Sequence, residues 1–261
     1  MPPVTQALCL VQNVALNKIT EIIMGFPDWH GTSVSDFDEW VAAVSGQNKT
    51  AVFRGQRRYW PLLPSISRND LAAKILSIEN KLLKAFKKEG ERCLHLIPET
   101  DWDWLVVGQH HGLPTRILDW SYNPYVALWF ALKKHQQNNS EPEVWVLKPA
   151  SGDIIDSLEN SRPFSGTRTK LFNTEFIIPR IREQESCFVL FKYIEKSGMG
   201  FVPLEKNQRL RTRIERIRLA KYAASEMINE IERKGFVEER LFPNIDNVAI
   251  SIKERIFKTL T

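Results

Sequence analysis

Two stretches of this chain hold more chemistry-bearing residues than a turn requires. In VFRGQ (52–56), Arg54 sits near the end of a strand-like run and Gly55 follows it. A guanidinium on rigid backbone beside a glycine suits a ligand that approaches closely. Its planar fork of donors matches phosphate or carboxylate. The plain alternative is an Arg paired with a core acid, and the sequence leaves both open. The second stretch, GQHHGLPTRILDW (108–120), packs Gln109, His110, His111, Thr115, Arg116 and Asp119 around a Gly and a Pro. One reading has Thr115, Arg116 and the histidines facing a cleft. The other makes Arg116 and Asp119 a structural ion pair or cap, since a buried Arg or Asp needs a partner. Spacing does not choose between them.

The elements that must position these residues follow from capping and periodicity. Thr100 and Asp103 form a capping box, with Trp102, Leu105, Val106 and Gln109 at i, i+3, i+4 and i+7. That helix should stop at Gly112, a C′ glycine, with Pro114 beyond it. His110 and His111 then lie at a helix C-terminus, where the dipole favours their protonated forms. Adjacent histidines point in different directions and no HExxH spacing is present, so no metal is expected. TRILDW (115–120) reads as a short buried strand. Asn123 is a good N-cap and Pro124 a good first residue for the apolar helix PYVALWFALKKH. Two more capping boxes, Ser35 with Asp38 and Ser67 with Asp70, predict helices over FDEWVAAV and LAAKILSIENKLLKAFKK. Strand-like runs are TAVFRGQ (50–56), EVWVLKP (143–149), TEFIIP (174–179) and CFVLFKY (187–193). Residues 204–235 read either as one helix or as a strand, IERIRL (214–219), followed by a helix that ends at Gly235. Strands and helices mix without βαβ alternation. The expected class is α+β, a mixed or antiparallel sheet flanked by helices.

Composition narrows the setting. The chain has 261 residues and a net charge of +5, enough length for one domain with a real core and a mildly basic balance that permits nucleic acid without demanding it. No apolar run reaches membrane-spanning length, and MPPVTQALCLVQNVALNK lacks the pattern of a secretory signal. Cys9, Cys93 and Cys187 are odd in number and far apart, which suggests neither a disulfide framework nor a thiolate metal site. A reducing, cytoplasmic setting fits. QQNNSEP (136–142) reads as an exposed loop.

The residues also carry a resemblance. VFRGQ, PLLPSISR and WLVVGQHHGLPTRILDWSYNPYVALWFAL resemble the FRG domain family, named for its (F/Y)RG motif. EVWVLKP, IIPRIREQESCFVLF and LFPNIDNVAISI continue the likeness. It implies an N-terminal extension over residues 1–34, one domain over 35–261, and the strand-then-helix reading of 204–235. The order of parts is also similar to that of ADP-ribosyltransferases. Arg54 matches the residue that holds NAD on a first strand. Thr115 or Ser121, before VALWFA, matches the second element. REQESCF matches the third, with Gln184 where those enzymes carry a catalytic Glu. A neutral Gln stabilises growing positive charge on ribose less well, and on a strand Glu183 and Glu185 would face away from it.

Together these expectations name NAD or a related nucleotide as ligand, no metal, and a cleft formed by Arg54, Gly55, Gln109, Thr115, Arg116, Asp119 and Arg182. Gln184, His110 and His111 are its candidate catalytic groups. The resemblance further implies ADP-ribosyl transfer or NAD cleavage, with a protein or nucleic acid as acceptor, in a cytoplasmic effector of the toxin or phage-defence type. The competing reading is a non-catalytic nucleic-acid or phosphate-binding module. It would use Arg57, Arg58, Arg68 and the basic ridge Arg209, Arg211, Arg213, Arg216 and Arg218, with Tyr59 and Trp60 for stacking. A third reading has the motif residues only lock a corner of the fold.

Overall fold

The computed structural model describes residues 29–46, 50–68, 75–135, 140–158, 161–176, 178–195 and 200–244. Nine strands are present there: β1 (Trp29–Gly31), β2 (Val52–Gln56), β3 (Ile117–Ser121), β4 (Glu143–Leu147), β5 (Lys170–Phe172), β6 (Ser186–Leu190), β7 (Tyr193–Ile194), β8 (Gly200–Phe201) and β9 (Ile214–Leu219). Seven form one sheet in the order β1-β9-β4-β2-β3-β6-β5, and β7 with β8 forms a separate hairpin. All neighbours in the large sheet are antiparallel except β1 and β9. The helices are α1 (Val34–Ser45), α2 (Ile75–Gly90), α3 (Asp101–His110), α4 (Pro124–Leu132), α5 (Pro179–Glu183), α6 (Ala224–Arg233) and α7 (Glu238–Leu241). The class is α+β, as the mixed pattern of periods requires.

Local chemistry explains the elements around the motif. Thr100 and Asp103 cap α3 reciprocally. At its other end Gly112 has φ +85°, Leu113 N–H bonds to the Gly108 carbonyl, and Gly112 N–H bonds to Gln109. This closure satisfies the last carbonyls and turns the chain into β3. Asn123 accepts from Tyr125 N–H, and Pro124 opens α4. Residues 214–219 form a strand and α6 follows, with Gly235 at φ +89° beyond its end.

Several expectations are corrected. The cap of α1 is Ser33, which accepts from Asp36 N–H, two residues earlier than Ser35 and Asp38. Asp38 instead accepts from the Tyr125 hydroxyl. Trp29–Gly31, expected in the N-terminal extension, is an edge strand beside β9. TEFIIP is not a strand: Pro179 is the first residue of α5, where its missing N–H costs nothing. Ser67 lies in a 3-10 turn, Ser65–Arg68. Asp70 and Leu71, loop residues 136–139, Cys9 and the end of LFPNIDNVAISI lie outside the described residues.

The sheet buries both faces. On one, α1, α4 and α6 pack Phe37, Trp40, Trp129 and Met227 against Phe53, Val144, Val146 and Ile217. Farther along that face, α3 sets Trp102, Leu105 and Val106 against Ile117, Phe172 and Phe188. The other face covers Val52, Leu118, Trp120, Trp145 and Val189 with Leu62, Ile66, Leu204 and Leu210. Each large side chain buried in these layers contributes roughly 1.5–3 kcal/mol.

Gly55 decides how close α4 can lie to β2. A Cβ there would stand 1.8 Å from the Ala127 carbonyl oxygen and 2.6 Å from Ala131 N. Both are backbone atoms of α4, so no side chain can move aside. Gly55→Ala should therefore cost at least about 3 kcal/mol, read as a lowered midpoint in urea unfolding. A loss below about 1 kcal/mol would contradict this packing.

Candidate functional site

The sheet has one weak seam. β2 and β4 pair along the whole of Val52–Gln56, and β3 and β6 along the whole of Ile117–Ser121. Between them, β2 meets β3 only where Phe53 opposes Ser121. A continued ladder would put Gly55 opposite Asp119. Instead the Asp119 carbonyl accepts a hydrogen bond from the Arg54 guanidinium, at 2.6 Å. By alternation Arg54 leaves β2 on the face opposite Phe53 and Gly55, and its head enters the gap.

A cavity of about 170 Å³ opens at this seam. β2 lines it with Phe53, Arg54 and Gly55, β3 with Asp119, Trp120 and Ser121, and α4 with Val126, Ala127 and Phe130. Arg180 of α5, Gln184 just after it and Ser186 of β6 complete the wall. Arg180 and Gln184 are four residues apart, so one helical turn puts both on the cavity side. The α5–β6 turn is tight. Glu185 has φ +45°, an uncommon conformation for a residue with a Cβ. Ser121 Oγ donates to the Gln184 carbonyl at 2.7 Å, and Tyr122 N–H bonds to the Glu185 carbonyl.

Asp119 is the only carboxylate among the lining residues, and it is held by a relay. Thr115 Oγ1 donates to Gln109 Oε1 at 2.6 Å, and Gln109 Nε2 donates to Asp119 Oδ2 at 2.9 Å. Asp119 Oδ1 is buried without a hydrogen-bond partner, as are Arg180 Nε and His110 Nε2. Buried polar atoms in this condition are uncommon and call for a partner. Arg180 itself is tethered to the end of α3, donating to the His110 carbonyl at 2.9 Å.

The histidines part company. His111 is exposed. His110 packs against Phe188, ring centroids 6.0 Å apart, and does not line the cavity. Burial pushes its pKa down to about 4, with Arg180 and His111 acting the same way and Asp119 opposing. The expectation that the helix dipole keeps it protonated is thereby corrected: desolvation outweighs the dipole, and His110 is neutral at pH 7.

Other expected site residues have structural tasks. Arg116 grips Glu79 of α2 through Nε and a terminal nitrogen, at 2.6–2.9 Å. Both side chains are nearly inaccessible, so Arg116 is an internal clamp and not part of the cavity wall. Burial raises the Glu79 carboxyl, and the guanidinium only partly offsets it. Thr115 and Gln109 act through Asp119. Arg182 is exposed. Gln184 is 6% exposed, and its amide donates to the Leu241 carbonyl at 2.7 Å, which ties the cavity wall to α7. Sequence reasoning missed Arg180 and Glu79. The signal for Arg180 was Pro179, which opens a helix and sets residues 180 and 184 on one face.

The basic ridge is largely neutralised. Arg209 and Arg213 both pair with buried Asp153, Arg216 pairs with buried Glu143, and Arg218 approaches Glu141. Arg58 stacks on Trp60. Among the described residues, no group of His, Cys, Asp and Glu is arranged to hold a metal ion, and no helix is long and apolar enough to cross a membrane.

Residues 49–140 match the model of the FRG domain. The chain contains an FRG domain. The matched stretch brings Arg54, Gly55, the Thr115–Gln109–Asp119 relay and α4, while Arg180, Gln184 and Ser186 come from beyond it. The cavity is thus the place where the FRG domain meets the following segment of chain. No curated protein and no solved structure matches the chain.

Two outcomes are expected. Arg116→Ala leaves Glu79 buried without its partner and should destabilise by about 3–5 kcal/mol in urea unfolding. For His110, the native pKa of about 4 lies below the ordinary 6.5. Its stabilising contribution is complete above pH 6.5 and is lost as pH falls towards 4, because only the unfolded chain takes the proton there. The loss is on the order of 3 kcal/mol. His110→Gln should flatten the fall in unfolding free energy between pH 6.5 and 4. Parallel curves for the two proteins would count against a buried neutral imidazole.

Proposed function

We propose that the FRG domain binds NAD or a related nucleotide, with the nicotinamide ribosyl end in the seam cavity. One observation carries this reading. Arg54, Asp119 and Arg180 come from three separate segments, line one small cavity, and leave buried polar atoms of Asp119 and Arg180 without protein partners. Guanidinium groups suit a pyrophosphate. Phe53, Trp120, Val126 and Phe130 are among the lining residues and give the wall an apolar part. At about 170 Å³ the cavity is smaller than the roughly 300–1,000 Å³ of sites that enclose whole ligands. It suits one ring with its sugar, and the rest of the ligand lies outside.

The order of parts, with Arg54 on an early strand, Ser121 before an aromatic-rich helix and Gln184 on a late segment, resembles ADP-ribosyltransferases and supports the same ligand. ADP-ribosyl transfer or NAD cleavage, a protein or nucleic-acid acceptor, and a role as a toxin or phage-defence effector are extensions of this reading. Gln184 is less suited to catalysis than to binding, since its amide is engaged by Leu241. The nucleic-acid reading has less support, because most of the ridge arginines are paired with carboxylates.

The test is thermal unfolding of the pure protein with NAD, ADP-ribose or nicotinamide, backed by calorimetric titration. NAD should raise the melting temperature. Arg180→Ala should weaken binding about tenfold or more, the loss of a charged hydrogen bond. The absence of any shift or heat at millimolar NAD would sink the proposal.

A further inference from the structure

A second cleft, of about 410 Å³, shares no lining residue with the seam cavity. The end of α2 and the turn after it give it Lys84, Lys87, Lys88 and Glu91, while the following loop and α3 give Ile97, Pro98 and Trp104. Pro98 and Trp104 are buried, and Phe86 braces Trp104 edge-on, ring centroids 5.9 Å apart. The loop beside them is open to water. Leu96 is 59% exposed and Ile97 40%. Four large apolar side chains are exposed among the described residues, and these two are neighbours. Apolar surface held out beside a cleft gains free energy when a partner covers it. The charges of the rim are also available. Lys87 is committed to Asp101, at 2.5 Å. Lys84 and Lys88 are exposed and have no acidic partner among the described residues. Glu79, on the same helix, is gripped by Arg116, so α2 presents these lysines from an anchored platform.

We infer that this cleft docks a short acidic segment of a partner protein, with an apolar side chain of that segment against Leu96 and Ile97 and its carboxylates on Lys84 and Lys88. Charge and spacing both fit. Lys84 and Lys88 stand one turn apart, about 6 Å along the helix axis. Alternate side chains of an extended peptide are about 6.8 Å apart, so one face of the peptide meets both lysines while its apolar neighbour reaches the loop. Other anionic partners fit less well. A bilayer surface is flat and leaves a cleft of this volume unfilled. A nucleic acid brings a continuous row of phosphates, which Glu91 on the rim repels, and it gains nothing from Leu96 and Ile97. Trp104 is too deeply buried for a base to stack on it. The inference does not rest on the nucleotide reading.

The experiment is selection of a random library of short displayed peptides on the folded protein, followed by fluorescence anisotropy titration of the enriched peptides. Enriched sequences should combine two acids with an aliphatic or aromatic residue. Lys84→Glu together with Lys88→Glu should weaken their binding about tenfold or more, since attraction becomes repulsion at two contacts. Ile97→Ser should weaken it about fivefold. Should the double reversal lower the urea midpoint, Lys84→Gln with Lys88→Gln removes the attraction without adding repulsion, and a loss of about threefold is expected. Raised salt should weaken binding to the wild type more than to the double variant. Phosphatidylserine vesicles and a single-stranded oligonucleotide are titrated alongside. No enrichment over the double variant, enriched sequences without acids, or affinities unmoved by the substitutions would each overturn the inference. Tighter binding of the vesicles or the oligonucleotide, lost in the double variant, also overturns it and assigns the surface to that partner.

Discussion

The fold hangs on a contact between two backbones. Helix α4 rests on β2 at Gly55, with the Ala127 carbonyl where a side chain would otherwise be. That closeness sets the height of the whole helix above the sheet, and with it the layer in which Phe37, Trp40, Trp129 and Met227 pack. It also fixes the lateral position of α4 over the seam, so that Val126, Ala127 and Phe130 become one wall of the cavity. The glycine of VFRGQ is therefore a packing requirement first. Its neighbour Arg54 reaches the cavity only because the strands part at that level.

The polar residues of the motif divide their labour by burial. Arg116 and Glu79 form a closed pair that locks α2 onto the start of β3. Such a pair is costly to desolvate and contributes little net stability, but breaking it leaves a charge stranded. Three residues before Asp119, the segment entering β3 has thus anchored a helix. Thr115 and Gln109 spend their hydrogen bonds inward on Asp119, and Gln184 spends its amide on α7. Asp119 and Arg180, each held by a neighbour, line the cavity. A site built this way is stiff, because each group that could meet a ligand is held by one that does not.

Much of this was legible beforehand, for reasons tied to particular residues. Thr100, Asp103, Gly112, Asn123 and Pro124 act within one turn of themselves, so their caps could be read directly. The strands through 52–56, 117–121 and 143–147 carry enough β-branched and aromatic residues to announce themselves, whereas IERIRL (214–219) fits a helix or a strand and only the resemblance chose the strand. Pairing was not legible. Nothing in TRILDW says that Arg116 meets Glu79, thirty-seven positions away, because an ion pair leaves no local period. His110 was misjudged for a related reason: the helix dipole is a local property, whereas the desolvation that overrides it depends on Phe188 and the sheet. TEFIIP has the apolar content of a strand, but Pro179 opens α5 there and brings Arg180 to the cavity.

One feature of the sheet reaches beyond the cavity. With a single ladder position between β2 and β3, the seven strands behave as two leaves, β1-β9-β4-β2 and β3-β6-β5, joined at a hinge. Full ladders run within each leaf, whereas the join between them relies on the Arg54 side chain, on α4 lying across one face, and on the Leu62, Ile66, Leu204 and Leu210 layer across the other. Any molecule that grips Arg54 on one leaf and Asp119 on the other acts as a staple across that hinge. Occupancy of so small a cavity would then be felt as stiffness along the whole width of the sheet, far from the cavity itself.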